Sequence, residues 1–336
     1  MIGAAMDWPI LAVLTAGTSL FVFLFLKPLI VWLQRRAIMD IPNDRSSHVE
    51  ITPRGGGIAT TAGILLGLVI WLTLRPDAAM LLPMLGMAVL AIVSWLDDRS
   101  GGLPVGLRLG AQAVCVGLVL ATIPIEATLL QGLVPVWLER LALLIAWLWF
   151  TNLFNFMDGI NGISGVEMIA VGMGAMAVAL QQQDSAVMAA GLIVAASAVG
   201  FLPWNWGARA KVFLGDVGSV PVGYLLGALL LFLALDGAWA AALILPMFYW
   251  VDATYTLLRR FLRGEKIWQA HRSHFYQQGA RKLGNHAAAA GRIAILNSLL
   301  ILLAVVSLHG WPVAVAAILV AFAATVALCR HFAEPG

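Results

Sequence analysis

Apolar residues run in long blocks along almost the whole chain, broken by short polar segments. A bilayer core of about 30 Å is crossed by roughly 20 apolar residues in a helix. Blocks of that size fall near 8–33, 56–74, 78–96, 103–123, 136–157, 162–181, 186–204, 217–235, 238–257, 289–309 and 310–330. They lack the apolar–polar alternation of membrane β-strands, and a backbone in lipid has only helices or closed barrels available to it. The pattern predicts an all-α, polytopic integral membrane protein of about eleven transmembrane helices. No internal repeat, low-complexity tract or soluble domain interrupts it, so residues 1–336 read as a single transmembrane domain.

Composition agrees: 61% of residues are apolar, 11% are charged and the mean hydropathy is +0.92, whereas soluble domains carry about a quarter charged residues. The first span is too long, and too lightly flanked by basic residues, for a cleaved secretion signal. Cys115 and Cys329 lie far apart in apolar spans and suggest neither a disulfide framework nor a metal set. Of the 20 Lys and Arg residues, all but Arg75 and Arg140 fall on one set of alternate breaks or on the span ends beside them. The positive-inside rule makes that side cytoplasmic, which puts the N-terminus outside and the C-terminus inside. Basic loops beside a membrane suit anionic headgroups and phosphorylated substrates; nothing implies a nucleic-acid partner.

The chemistry-bearing residues lie on this same side, in segments 34–55, 97–102, 158–161, 205–216 and 258–288 or on the span ends beside them. Asp97 and Asp98 end the third span, where the helix dipole opposes negative charge; they read as a solvated helix end neutralised by Arg99, or as a general base or metal site. In NLFNFMDGINGI (152–163), Asn152, Asn155 and Asp158 are spaced to share one face of a continuing helix. Such a polar stripe is either interhelical glue or the wall of a cavity. Asp216 in KVFLGDVGSV (211–220) sits in a glycine-flanked turn that feeds a helix. That turn could offer N–H groups to a phosphate and a carboxylate to Mg²⁺, or Asp216 could simply cap the helix. His271, Arg272 and His274 in AHRSHFYQQ (270–278) suit a pyrophosphate better than zinc, for which too few ligands stand nearby. Asp252 is an intramembrane carboxylate and hence a functional suspect, with Arg259 or Arg260 as an alternative structural partner. In DRSSHVEITPRGGGIA (44–59), Arg54 precedes three glycines, Gly56 among them, whose N–H groups could cradle an anion.

Taken together, ITPRGGGIA, the Asp97–Asp98 pair, NLFNFMDGINGI, FLGDVGS and HRSHFYQ resemble, in that order across residues 40–280, the polyprenyl-phosphate N-acetylhexosamine-1-phosphate transferases of glycosyltransferase family 4 type. The resemblance implies a single catalytic domain of ten or eleven helices. It implies that a UDP-N-acetylhexosamine, or a deoxy N-acetyl sugar relative, gives its sugar phosphate to undecaprenyl phosphate and that UMP leaves. Mg²⁺ is the implied cofactor, with Mn²⁺ as an alternative. By motif position Asp216 and Asn155 would be metal ligands and Asp97 and Asp98 would sit by the acceptor phosphate. Arg108, four residues before Gln112, is similar to the family's phosphate-binding basic position, and Asn161 to its uracil-side position. Asn152, Asp158, His271, Arg272, His274, Arg54 and Gly56 complete the implied substrate contacts. His274 is followed by Phe275, Tyr276 and Gln277, where many relatives carry further histidines. The variant looks like the bacterial O-antigen-initiating branch, acting at the cytoplasmic face of the inner membrane, with a homodimer compatible. The alternatives are a phospho-N-acetylmuramoyl-pentapeptide transferase and, from another class, a secondary transporter.

Overall fold

The computed structural model describes residues 7–42, 50–100, 102–266 and 271–333. Residues 43–49, 101 and 267–270 of the predicted loops lie outside the described residues. In chain order, α1 (Trp8–Arg35) leads to a two-stranded antiparallel ribbon, β1 (Met39–Asp40) on β2 (Thr52–Pro53). Then come α2 (Gly57–Leu74), α3 (Ala78–Ser100), α4 (Val105–Thr122), α5 (Val136–Phe156), α6 (Ile163–Gln182), α7 (Ser185–Asn205) and α8 (Asp216–Leu233). A π-helical turn at Ala234–Ala238 precedes α9 (Trp239–Ile244), α10 (Met247–Leu262), α11 (Phe275–Lys282), α12 (His286–Val306) and α13 (Trp311–Ala333). Ten helical stretches among the described residues are long and apolar enough to cross a bilayer. The protein is a polytopic all-α membrane protein.

The pass predicted at 238–257 takes a different form from the rest. α8 runs away from Asp216 to the far end of the bundle, where the Gln182 side chain donates to the carbonyls of Leu233 and Asp236. Gly237 turns the chain there with φ 96°, and the return is made by α9 and α10, broken at Leu245 and Pro246. Hydropathy registers a run of apolar residues but not a break inside it. α13 ends beside α11, where the His331 carbonyl accepts from Lys282 Nζ at 2.8 Å.

α8 is the post of the bundle. All its residues from Val217 to Leu231 are buried, and it packs against α2, α3, α5, α6 and α7. Trp147 of α5 stacks on Tyr224 with ring centroids 5.1 Å apart and donates its indole N–H to the Tyr224 carbonyl at 2.9 Å. The outer helices expose their apolar side chains instead, as at Leu20, Ile92, Leu118 and Ile295; in lipid such a surface costs nothing to leave uncovered. The two arginines on the poor side of the charge split are held locally, Arg75 by Asp7 and Arg140 by the carbonyls of Pro124 and Ala127.

Candidate active site

Three carboxylates and two guanidiniums meet where α3, α4 and α8 end or begin beside the loop after β2. Arg54 Nη2 lies 2.7 Å from Asp216 Oδ1 and 3.0 Å from Asp98 Oδ1. Arg108 Nη1 lies 2.8 Å from Asp97 Oδ2 and 3.8 Å from Asp216 Oδ2. Asp97 also accepts from the Leu103 N–H, which folds the short α3–α4 connection onto it. Asp98 accepts from the Val217 N–H at 3.2 Å, so this carboxylate sits on the N-terminus of α8, where the helix dipole favours an anion. Gly215, at φ 74°, makes the turn that delivers Asp216 to the same point. The five side chains carry one net negative charge. Asp216 Oδ2 accepts no hydrogen bond among the described residues.

A cavity of about 420 Å³ runs from this cluster along the bundle. Asp97, Arg108, Asp216, Asn152 and Asn155 line its polar end, and Leu90, Val93, Leu148, Trp149 and Val220 are among those lining the apolar remainder. Its rim at Leu109, Ile145 and Phe156 is exposed on the lipid-facing surface. Asn152 Nδ2 donates to Gln112 Oε1 at 2.7 Å, which ties α5 to α4, and Asn155 Oδ1 accepts from Ser219 Oγ at 3.3 Å, which ties α5 to α8.

Asp158 does not continue the stripe of Asn152 and Asn155. α5 ends at Phe156, and the Asp158 carboxylate turns to accept from Ser164 Oγ at 2.5 Å. Burial pushes its carboxyl up to about 6, against the Ser164 bond and the Arg54 charge, which lower it. Asn161 lines a second cavity, about 310 Å³, together with Thr52, Arg209, Phe213, Asn285 and His286. Its N–H donates to His286 Nδ1 at 3.3 Å and its side chain to the Gly207 carbonyl at 2.9 Å. His286 escaped the sequence reading, although it stands in the same polar segment as His271 and His274, directly after the residue that caps α12. The His271 and His274 rings stack at 4.7 Å. Burial, then the nearby charges of His274 and Arg260, hold His271 down at about 4. Arg272 is exposed.

Three expectations need correction. The N–H groups of Gly55 and Gly56 donate to the Phe213 carbonyl at 3.1 and 2.8 Å, and that of Gly57 to Leu214 at 2.8 Å, so Gly56 and its neighbours cradle no anion. They serve close packing instead: a Cβ on Gly57 would stand 2.2 Å from the Gly218 nitrogen. The start of α8 likewise has few N–H groups open to a phosphate, since Val217 serves Asp98, and Gly218 and Ser219 both serve the Gly215 carbonyl. Asp252 pairs with neither Arg259 nor Arg260; its partner is His274, and Arg260 bonds Glu265 at 2.7 Å.

Residues 80–234 match the family model described as glycosyl transferase family 4. The chain is similar to a probable undecaprenyl-phosphate N-acetylglucosaminyl 1-phosphate transferase of Bacillus subtilis, 26% identical over 77% of this chain and 75% of the relative. It is similar to the undecaprenyl-phosphate alpha-N-acetylglucosaminyl 1-phosphate transferase of Thermotoga maritima, 26% identical over 78% and 79%. A phospho-N-acetylmuramoyl-pentapeptide-transferase of Chlamydia pneumoniae is 26% identical over 64% of this chain and 72% of its own length.

Proposed function

We propose that the chain is a polyprenyl-phosphate sugar-phosphate transferase of the glycosyl transferase family 4 type, which transfers an N-acetylhexosamine-1-phosphate, or its deoxy relative, from a UDP-sugar to undecaprenyl phosphate. We assign the reaction to the cytoplasmic face of a bacterial inner membrane, as the first step of O-antigen or a related envelope polysaccharide. The observation that carries this reading is the shape of the larger cavity: an apolar trough, open to the lipid-facing surface, that ends in Arg108, Asp97 and Asp216. A polyprenyl tail fits the trough and its phosphate the charged end. A transporter would need its charges near mid-bilayer, whereas these sit at one end of the bundle.

In the proposed reaction an oxygen of the lipid phosphate attacks the β-phosphorus of the UDP-sugar. A P–O bond forms there, the bond from that phosphorus to the α,β-bridging oxygen breaks, and UMP leaves with that oxygen. Two anions must be brought together, so positioning and neutralisation are the main tasks. Arg108 faces the groove and takes the acceptor phosphate, with Asp97 orienting it through the 2.8 Å bond. Arg54 locks Asp216 and Asp98 together at the start of α8. Asp98, already committed to the Val217 N–H, holds the helix end in place.

The donor set fits a hard divalent cation. Among the described residues no group of three or more His, Cys, Asp or Glu side chains is arranged to hold an ion alone, but Asp216 Oδ2 has only the 3.8 Å approach of Arg108 and Asn155 lines the same cavity. Mg²⁺ characteristically takes one or two protein oxygens and fills its shell with phosphate and water. Asp216 and Asn155 would hold it, and it would supply positive charge to the phosphoryl oxygens. The test is UMP release by the purified protein given undecaprenyl phosphate, Mg²⁺ and a panel of UDP-sugars. UMP from UDP-N-acetylglucosamine supports the reading, strict dependence on the muramoyl-pentapeptide donor moves the chain to the peptidoglycan branch, and no UMP from any donor sinks it.

A further inference from the structure

Asp252 has no place in that reaction, yet it is a fully buried carboxylate in α10 whose hydrogen bonds, apart from one within its own helix, converge on one loop. Its oxygens accept from the N–H groups of Phe275 at 3.0 Å and Tyr276 at 2.9 Å, from Thr256 Oγ1 at 3.2 Å, and stand 3.1 Å from His274 Nδ1. The first two bonds start α11, which satisfies donors that a helix N-terminus otherwise leaves open. The last fixes a ring. An imidazole whose Nδ1–H is given to a carboxylate has its tautomer and orientation set, and its Nε2 is the nitrogen left for other work.

His274 is itself 2% exposed, and among the described residues its Nε2 makes no hydrogen bond. Its ring stacks with those of His271 at 4.7 Å and Tyr276 at 5.5 Å. Tyr276 carries the link onward: its hydroxyl donates to the Phe156 carbonyl at 3.1 Å, and Gly159 packs so tightly on it that a Cβ there would lie 2.2 Å away. The loop that bears the histidines is thus pinned on one side to α10 and on the other to the turn after α5, beside Asn155 and Asp158.

We propose that Asp252 is a positioning residue for the donor side of the site: it orients His274 so that Nε2 meets the pyrophosphate of the nucleotide sugar, while its other bonds hold His271 and Arg272 in reach. This rests on the transferase reading above. A carboxylate serving only as a helix cap would make α11 and the fold depend on it but would not couple to the imidazole.

The experiment is a double-mutant cycle on the full chain with UDP-N-acetylglucosamine and undecaprenyl phosphate, reading UMP. Asp252→Asn lowers kcat/KM for the donor at least about 10- to 100-fold, the loss on removing the carboxylate behind a metal-bound imidazole, and leaves the acceptor KM within about 2-fold, as expected for distinct subsites. His274→Gln loses at least as much, and the double variant loses no more than His274→Gln alone. A double variant whose loss is the product of the two single losses overturns the proposal, as does an Asp252→Asn protein whose donor and acceptor constants worsen together. Should Asp252→Asn fail to fold, ¹⁵N-histidine spectra of the wild-type protein, assigned by the peak missing in His274→Gln, decide instead: a protonated Nδ1 supports the pairing and a bare Nδ1 overturns it. Wild-type protein that releases no UMP from any donor strikes the transferase reading, whereas wild-type release with a multiplicative cycle strikes this proposal alone.

Discussion

Gly57→Ala tests whether the charged cluster of Arg54, Asp98 and Asp216 depends on how closely two helix ends approach. Gly57 begins α2 and lies against Gly218 in the first turn of α8; a Cβ at 57 would stand 2.2 Å from the Gly218 nitrogen, 2.3 Å from its Cα and 2.8 Å from the Leu214 carbonyl. All three neighbours are backbone, so no side chain can swing aside. Ordinary contact begins near 3.4 Å, which makes the required displacement of one helix end about 1.2 Å. Asp216 lies two residues from Gly218, and Arg54 three from Gly57, so the 2.7 Å bond between them spans the joint that must open. A misplacement of about 1 Å in a site that works by positioning costs about 100-fold in rate, or roughly 2.7 kcal/mol in barrier. Overpacking adds about 1–3 kcal/mol of lost stability. Turnover of UDP-sugar to UMP and thermal unfolding in detergent measure the two effects. Gly117→Ala, where nothing lies within 4 Å, is the control and should leave both unchanged. Wild-type turnover by Gly57→Ala would refute the claim that this contact sets the site.

Asp216→Asn should abolish UMP release while the protein inserts and melts as before, because its carboxylate faces the cavity rather than the core; full activity removes the metal assignment. Arg108→Ala should raise the acceptor KM about 10- to 100-fold, the worth of a charged hydrogen bond, with a smaller effect on the donor; equal losses would contradict its placement. Asp158, whose carboxyl is pushed up to about 6 in the fold, is stabilising in its protonated form. Below its unfolded value near 3.8 that contribution is complete, and it drains away as pH rises through about 6. Thermal unfolding from about pH 4 to about pH 7 should therefore fall more steeply for wild type than for Asp158→Asn, and parallel curves would show that the burial is not felt.

The spans were legible because lipid imposes one rule on every crossing residue, and the convergence of Arg54, Asp97, Asp98, Arg108 and Asp216 followed from placing all of them on one side. What stayed hidden depends on pairwise approach. Nothing in GGG at 55–57 says that its N–H groups are already taken by Phe213 and Leu214, because those carbonyls lie more than 150 residues onward. Asp252 was singled out as costly, but the nearest basic residues in sequence were the wrong partners, since Arg260 bonds Glu265 and the loop returns His274 to Asp252. The split between α9 and α10 was invisible for the opposite reason: apolar residues run on both sides of Leu245 and Pro246, so no polar segment marks the break.

The rim of the large cavity at Leu109, Ile145 and Phe156 opens onto the same surface that solvates the rest of the bundle in fatty chains. A lipid substrate entering there never crosses water, so the concentration the protein meets is a ratio of molecules within a sheet, not an amount per litre. Diluting such a substrate with inert phospholipid would slow the reaction even if every bulk quantity in the tube stayed fixed.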